Sequence, residues 1–135
     1  MDSRRNSLWT ETFVVRWGEM DALGHVNNAV YFRYLEQARI SWLDSLGAME
    51  SMPGEGPVLA HVSCDFRKAI RYPETIDVLL FLEKVGRTSI TLRCELRSRA
   101  MPDTCHATAR VVIVWVDLAK GVSVALPDVL SRLSA

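Results

Sequence analysis

One long segment of helical periodicity, followed by four segments of strand character, most constrains the fold of this chain. Between residues 28 and 46, apolar side chains recur at a spacing of three to four, which places them on one face of a helix. These side chains are Tyr31, Tyr34, Leu35, Ala38, Trp42 and Leu46. Asn27 or Asn28 can cap the start of the segment, and Gly47 supplies a left-handed stop. The pattern predicts one long helix over residues 28–46.

Strand patterns lie on both sides of this helix. Residues 10–19 (TETFVVRWGE) predict a first strand, and residues 58–70, 75–85, 88–98 and 105–118 predict four more. The third of these, residues 88–98, alternates almost strictly, with Ile90, Leu92, Cys94 and Leu96 facing inward. In residues 58–70 the same alternation places Val58, Ala60, Val62, Cys64 and Phe66 on one face. The most apolar segment, residues 105–118, is expected to lie centrally or to be packed on both faces.

Breaks in these patterns mark the connections. Residues 48–57 predict a loop, and turns are expected at residues 86–87 and 101–103. A short amphipathic tail, residues 126–135, has Pro127 near its start. A single antiparallel sheet has one apolar face to bury, and the long helix is the one element large enough to cover it. The sequence therefore predicts an α+β sheet-on-helix architecture in one domain, residues 1–135.

Composition limits the function classes. The chain has 135 residues, with 16 lysines plus arginines and 16 aspartates plus glutamates, so its overall charge does not favour nucleic acid or an anionic membrane surface. No apolar stretch has the length of a signal peptide or a bilayer span, which predicts a cytoplasmic protein. The three cysteines, Cys64, Cys94 and Cys105, lack CxxC spacing and are expected to be reduced core residues.

The junction ahead of the helix, DALGHVNNAVYF (residues 21–32), concentrates polar side chains. A helix start offers free N–H donors and the positive end of the dipole, which suit a developing oxyanion. Asp21 could act there as nucleophile or general base, while Gly24 allows the turn and free N–H groups around Asn27 and Asn28 polarise a carbonyl. The alternative is that the acid and the asparagines only satisfy a turn and a helix cap.

The histidines give weaker signals. His25 has no serine or cysteine partner at a recognisable spacing, so a structural hydrogen bond is its simplest interpretation. His61 and His106 lie in predicted strands and form no metal pattern with a nearby acid or cysteine. No metal is expected.

Residues 15–47, with the pattern D-x-x-x-H-V-N-N-x-x-Y, resemble hotdog-fold acyl-CoA thioesterases of the 4-hydroxybenzoyl-CoA thioesterase class. The likeness is greatest to the bacterial long-chain acyl-CoA thioesterase branch; it continues through residues 65–92 and covers roughly residues 10–118. The resemblance implies a curved five-stranded antiparallel sheet wrapped around the helix. It also implies a homodimer, doubled to a homotetramer, with active sites at the dimer interface. The implied reaction hydrolyses an acyl-CoA thioester to acid and coenzyme A without a metal or redox cofactor.

The resemblance also implies roles for particular residues. Asp21 falls on the catalytic carboxylate, the backbone N–H near Asn28 on the carbonyl-polarising group, and His25 on a residue that positions Asp21 or water. Tyr31 matches the motif and is expected to contact the substrate, with core packing as its alternative. Glu36 also matches the motif, with an ion pair as its alternative. Possible contacts to the substrate come from Arg67, Lys68, Arg71 and Arg87 for the coenzyme A phosphates and from Ser89 of the partner subunit for the pantetheine arm or acyl group.

Two alternatives compete with hydrolysis. A hotdog branch that hydrates or dehydrates acyl thioesters uses an aspartate and a histidine in the pattern D-x-N-P-x-H. Here Asp21 and His25 are one residue closer, and Leu23-Gly24 replaces Asn-Pro. A non-catalytic hotdog protein that binds acyl groups or serves as an assembly module stays open, because fold does not fix function. The combination of acid, turn and helix start favours the enzyme. The acyl group, and the choice between coenzyme A and a carrier protein, cannot be read from the sequence.

Overall fold

A computed structural model describes residues 6–134, so the ends of the predicted domain, residues 1–5 and 135, lie outside the described part. Its elements are β1 (Trp9–Val14), a 3-10 turn (Trp17–Glu19), α1 (Asn28–Ser45), α2 (Ala48–Ser51), β2 (Glu55–Phe66), β3 (Thr75–Val85), β4 (Ser89–Ser98), β5 (Cys105–Asp117), β6 (Val122–Ser123) and α3 (Asp128–Ser131). Among residues 6–134, no helix has both the length and the apolar character needed to cross a bilayer.

The strands form one antiparallel sheet in the order β1-β3-β4-β5-β2, with the two-residue β6 added beside β5. β1 and β2 are therefore the edges of the five-strand path, and β5 lies between β4 and β2, as its apolar character predicted. This curved antiparallel sheet around one long helix confirms the predicted α+β hotdog fold.

The helix α1 follows its predicted bounds to within one residue. Asn27 is the cap, since its side-chain oxygen accepts the Ala29 N–H at 2.9 Å. At the other end Gly47 has φ +67°, the left-handed conformation that the sequence predicted. The buried face of α1 consists of Val30, Tyr31, Tyr34, Leu35, Ala38, Trp42 and Leu43. Burying side chains of this size contributes about 1.5–3 kcal/mol each, so the helix is held mainly by this face.

The two faces of the sheet differ as the alternation of β4 predicted. Ile90, Leu92, Cys94 and Leu96 are at most 1% exposed and pack in the core under α1. The opposite face of the same strand carries the ionic group Arg93, Glu95 and Arg97, in which both arginines hydrogen-bond the central carboxylate. All three cysteines are free thiols, with Cys94 buried and Cys64 and Cys105 half-buried.

Three predicted boundaries were wrong. β2 ends at Phe66 rather than at residue 70, so residues 67–70 follow the strand. β1 ends at Val14 rather than near residue 19: the Val15 N–H still donates to the Glu74 carbonyl at 2.9 Å, but the chain then enters the 3-10 turn at Trp17–Glu19. The predicted loop at residues 48–57 contains the short helix α2, in which Ala48 is fully buried, and the first residues of β2.

The predicted facing of β2 was also wrong in its first half. A register shift between Leu59 and His61 leaves Ala60 without a cross-strand partner, so Val58 pairs with Val114 while Val62 pairs with Val111. An extra residue in one strand reverses the facing of everything before it. As a result Val62 packs against the core, and Val58 is 44% exposed on the other face.

Candidate active site

Asp21 lies in the connection between β1 and α1, residues 15–27, which closes on itself and is called the Asp21 loop. Met20 and Val26 form an isolated antiparallel bridge, and Asp21 donates its N–H to the His25 carbonyl at 2.7 Å. Gly24 closes the turn with φ +75° and donates its N–H to the Asp21 carbonyl at 3.0 Å. The glycine thus provides the left-handed conformation that the predicted turn required.

The Asp21 side chain is exposed, and its two oxygens have different surroundings. Oδ1 accepts the Leu23 N–H at 2.9 Å and, more weakly, the His25 N–H at 3.4 Å. No hydrogen bond to Oδ2 is recorded within residues 6–134. Turn formation therefore accounts for one carboxylate oxygen and leaves the other open to a reacting group.

His25 contacts Asp21 through its backbone. Its N–H donates to the Asp21 carboxylate and its carbonyl accepts the Asp21 N–H, while no hydrogen bond of its half-buried ring is recorded in the described part of the chain. Its recorded contribution to the geometry of Asp21 is therefore made by main-chain atoms.

The start of α1 leaves one backbone donor open. The Asn27 side chain accepts the Ala29 N–H at 2.9 Å, and the Asn27 carbonyl accepts the Val30 N–H at 2.8 Å. The N–H of the exposed Asn28 has no recorded partner among residues 6–134. This N–H lies at the positive end of the helix dipole, where it can stabilise a developing negative charge.

An aromatic group packs beside the helix start. Tyr31 is 2% exposed and meets Phe66 edge to face, with ring centroids 4.9 Å apart. Phe32 meets the same Phe66 ring at 6.2 Å. Burial raises the pKa of Tyr31 above its usual range. This environment fits the packing alternative for Tyr31, whose contact with a substrate stays a prediction.

Three of the predicted cationic residues lie at the same end of the sheet as Asp21. The segment that follows β2 joins the Asp21 loop where Val26 donates its N–H to the Ile70 carbonyl at 2.8 Å. Arg67, Lys68 and Arg71 are exposed on this segment. Lys68 and Arg71 also line a cavity of about 260 Å³, together with Tyr72, Glu74 and His106.

Sequence reasoning gave His106 no role, but it anchors this cationic segment. Its carbonyl accepts the N–H groups of Arg67 and Lys68 at 2.8 and 3.1 Å, and its buried ring makes a 2.9 Å hydrogen bond from Nδ1 to the Lys68 carbonyl. A carbonyl only accepts hydrogen bonds, so Nδ1 carries the proton here.

Arg87 and Ser89 are not brought to Asp21 within one chain. They lie at the turn between β3 and β4, where the Arg87 carbonyl accepts the Leu126 N–H at 3.0 Å. β3 has 11 residues and runs from the Asp21 end of the sheet to this turn, a distance of about 35 Å. Glu36, the other motif residue, faces Arg39 at 3.7 Å, as its ion-pair alternative predicted.

A tether between the Asp21 loop and α1 was missed by sequence reasoning. Tyr34 donates its hydroxyl to Oε1 of Glu19 at 2.7 Å, and the Arg16 N–H donates to the same oxygen at 2.7 Å. The sequence concealed Glu19 because it follows a run of strand-like residues. As for metals, no group of three or more histidine, cysteine, aspartate or glutamate side chains in residues 6–134 is arranged to hold an ion.

The fold and this loop-and-helix arrangement are those of a thioesterase-type domain. The chain belongs to the Thioesterase-like superfamily, which it matches over residues 15–133. That match includes the Asp21 loop, α1 and the five strands after the first, so family membership covers the whole candidate site.

Individual relatives agree with this membership. YsmA of Bacillus subtilis (strain 168), an uncharacterised protein, is 32% identical over 114 residues, which are 84% of this chain and 76% of YsmA. A candidate thioesterase from Pseudomonas aeruginosa has a TM-score of 0.85 at 36% identity, covering 90% of this chain and 94% of that one. A candidate acyl-CoA thioesterase from Xanthomonas campestris has a TM-score of 0.75 at 32% identity, covering 82% and 94%. Family and relatives together support thioester hydrolysis as the general chemistry.

Proposed function

We propose that this protein is an acyl-CoA thioesterase that hydrolyses an acyl-CoA thioester to free acid and coenzyme A. Asp21 acts as nucleophile or general base, and the Asn28 N–H polarises the thioester carbonyl. The observation that carries the proposal is that one oxygen of the Asp21 carboxylate and one backbone N–H at the start of α1 both lack a hydrogen-bond partner in residues 6–134. Oδ1 of Asp21 is held by the Leu23 N–H while Oδ2 is free of recorded partners in residues 6–134, and the Asn28 N–H is likewise free there.

Both chemical roles of Asp21 give the same products, the free acid and coenzyme A. As nucleophile, the carboxylate adds to the carbonyl carbon, the C–S bond breaks, and the thiolate takes a proton as coenzyme A leaves; water then cleaves the acyl anhydride and restores Asp21. As general base, Asp21 takes a proton from water, whose oxygen adds to the carbonyl; the C–S bond then breaks, and the proton on Asp21 passes to the departing thiolate. In either case the carbonyl oxygen becomes negative beside the Asn28 N–H, and a positioned donor of this kind accelerates acyl transfer about 100- to 1,000-fold.

The cationic segment supports a coenzyme A thioester as the substrate. Arg67, Lys68 and Arg71 present charged donors at the Asp21 end of the sheet, and such groups bind phosphates by charge-assisted hydrogen bonds. Tyr31 forms part of the wall beside the reacting carbonyl, and His25 keeps the Asp21 turn in place. No metal or redox cofactor is required for this chemistry.

The free edge of β2 supports a side-by-side dimer, two of which form the proposed tetramer. β2 is a 12-residue edge strand with exposed apolar side chains at Val58, Leu59 and Phe66, the kind of edge that pairs with another strand. Two antiparallel copies of β2 would set the partner's Glu55 end beside the Phe66 end of this chain. In such a dimer Arg87 and Ser89 reach the site from the other subunit.

Two finer assignments complete the proposal, one from the motif and one from the cysteines. Within the superfamily, we place this chain in the 4-hydroxybenzoyl-CoA thioesterase class, near the bacterial long-chain branch, because of the D-x-x-x-H-V-N-N-x-x-Y pattern at residues 21–31. A cytoplasmic location belongs to the same proposal and agrees with three free cysteines, which are typical of reducing compartments.

One observation favours a non-catalytic acyl-binding or assembly role. The hydrogen bonds from Leu23 and His25 to Asp21 Oδ1 give the aspartate a structural purpose that needs no reaction. The two candidates differ in what they require of Oδ2, because only the enzyme needs a second, basic oxygen.

The test is thiol release from short, long and aromatic acyl-CoA thioesters, with the native protein and Asp21→Asn compared side by side. Release that is lost in a folded Asp21→Asn supports the thioesterase and identifies the acyl class. A folded native protein that releases no thiol from any substrate overturns hydrolysis and leaves the binding role.

A further inference from the structure

A side-chain contact joins the Asp21 loop to α1 beside the candidate site. Glu19, two residues before Asp21, accepts the Tyr34 hydroxyl and the Arg16 N–H, both at 2.7 Å and both on Oε1. Its backbone carbonyl also accepts the N–H of the helix cap, Asn27, at 2.9 Å. Glu19 is thus bound to the helix surface by its side chain and to the helix start by its main chain.

Tyr34 is a rigid anchor for this contact. Its side chain is 4% exposed, and its ring stacks on Phe13 of β1 with centroids 4.4 Å apart and planes 15° apart. Burial and the neighbouring Glu19 carboxylate raise the pKa of Tyr34 well above its usual range, so the hydroxyl remains a donor at physiological pH. The position of Glu19 is therefore set by a residue that is itself fixed between the helix and the sheet.

We propose that Glu19 and Tyr34 are a positioning pair, which holds the Asp21 carboxylate in place relative to the Asn28 N–H. This inference rests on the proposed function, since it assigns the pair a role in that reaction. The thioester carbonyl has to meet Oδ2 of Asp21 and the Asn28 N–H together, and a displacement of about 1 Å between such groups lowers turnover about 100-fold. The tether spans the loop that separates these two groups.

Removing one hydroxyl tests the pair. Tyr34→Phe keeps the ring stacked on Phe13 but removes the donor to Glu19, so we expect kcat to fall about 10- to 100-fold with KM changed less than about twofold. Glu19→Ala should lose a similar factor. Glu19→Gln should restore kcat to within about threefold of the native value, because an amide oxygen can still accept both donors.

Thr12→Val is the matched control. It removes a hydroxyl-to-carboxylate hydrogen bond of the same 2.7 Å length, from Thr12 to Asp77, that joins β1 to β3. It also removes the 3.1 Å hydrogen bond that the same hydroxyl accepts from Arg99, and neither bond involves the Asp21 loop. We expect its kcat to stay near the native value. An equal fall of kcat in Thr12→Val and Tyr34→Phe would mean that the loss reflects general weakening, and the positioning role would be overturned.

Amide hydrogen exchange provides a readout that does not depend on activity. In Tyr34→Phe, the amides of Arg16, Asp21 and Asn27 should exchange faster, while the amides of β4 and β5 keep their native protection. Unchanged exchange in the loop, or an active native enzyme whose kcat is unaffected by Tyr34→Phe, overturns this inference alone. A native protein that hydrolyses no thioester overturns the proposed function, and the positioning role with it.

Discussion

The two oxygens of Asp21 have separable roles, and two substitutions at this position distinguish them. Asparagine keeps an oxygen that can accept the N–H groups of Leu23 and His25, whereas alanine removes it. Neither side chain retains a basic carboxylate. We therefore expect Asp21→Asn and Asp21→Ala to be equally inactive, and only Asp21→Ala to be clearly less stable.

The magnitudes are far enough apart to be measured separately. A hydrogen bond to a charged group stabilises a fold by about 1.5–3 kcal/mol. Asp21 is exposed and its contact with His25 is long, so the loss in Asp21→Ala should be closer to about 1 kcal/mol. With an unfolding entropy of about 2.1 cal/mol/K per residue and 135 residues, the melting temperature should fall by about 3–4 °C. Loss of the base or nucleophile should lower kcat about 100- to 10,000-fold, which equals about 2.7–5.4 kcal/mol of activation free energy.

The assay combines thermal unfolding followed by circular dichroism with thiol release from the best acyl-CoA substrate. Asp117 offers a matched control, because its Oδ1 accepts the N–H groups of Ala119 and Lys120, both at 3.0 Å, in a turn after β5. Asp117→Ala should lose comparable stability and keep its turnover. Turnover of Asp21→Asn within tenfold of the native value would refute the catalytic assignment, and so would a loss of turnover that merely follows the loss of stability.

Three further predictions concern the fold. Burial favours the neutral form of Glu95, but hydrogen bonds from Arg97 and Arg93 outweigh this effect and hold the pKa of Glu95 below its usual range. The ionised Glu95 therefore stabilises the folded state above the unfolded-state pKa, and this stabilisation is lost as the pH falls through the folded-state pKa. Glu95→Gln should therefore be about 1–3 kcal/mol less stable at pH 7, and urea unfolding should show the difference shrinking in acid. Gly24→Ala should lower the free energy of unfolding, measured by chemical denaturation, by about 1 kcal/mol. The loss should come from backbone strain alone, because φ is +75° and an added Cβ meets nothing within 4 Å. Burial raises the pKa of Cys94 to about 12, so a thiol reagent at pH 8 should modify it only after unfolding, which mass spectrometry can detect.

The elements that the sequence predicted well are those whose pattern is complete within one segment. The spacing of apolar residues in α1 located its buried face, and the alternation in β4 located its four core residues. β3 has the predicted bounds, residues 75–85. In α1 and in the core residues of β4 one period holds, and β3 is a nearly continuous apolar run between clear breaks, so local information is sufficient.

The errors arose where a partner segment changes the period. The register shift at Ala60 is defined by the pairing of β2 with β5, and nothing in residues 58–62 alone records it. Glu19 has a similar explanation: its importance comes from Tyr34, 15 residues away on another element. A side chain whose partner lies on a different element carries no periodic signal, and its role becomes visible only when the chain is folded.

The residues of the candidate site also fall into two groups, those that are close in sequence and those that only the folded chain brings together. Asp21, Gly24 and the Asn27 cap are close in sequence, so one short motif contains the acid, the turn and the helix start. Lys68 joins them only because the segment after β2 pairs with the Asp21 loop, between Val26 and Ile70. Arg87 belongs to the opposite end of the sheet, about 35 Å away along β3. Its predicted role therefore depends on a second copy of the chain: in a monomer it could only be a turn residue, and pairing of two β2 edges is what would bring it to the substrate.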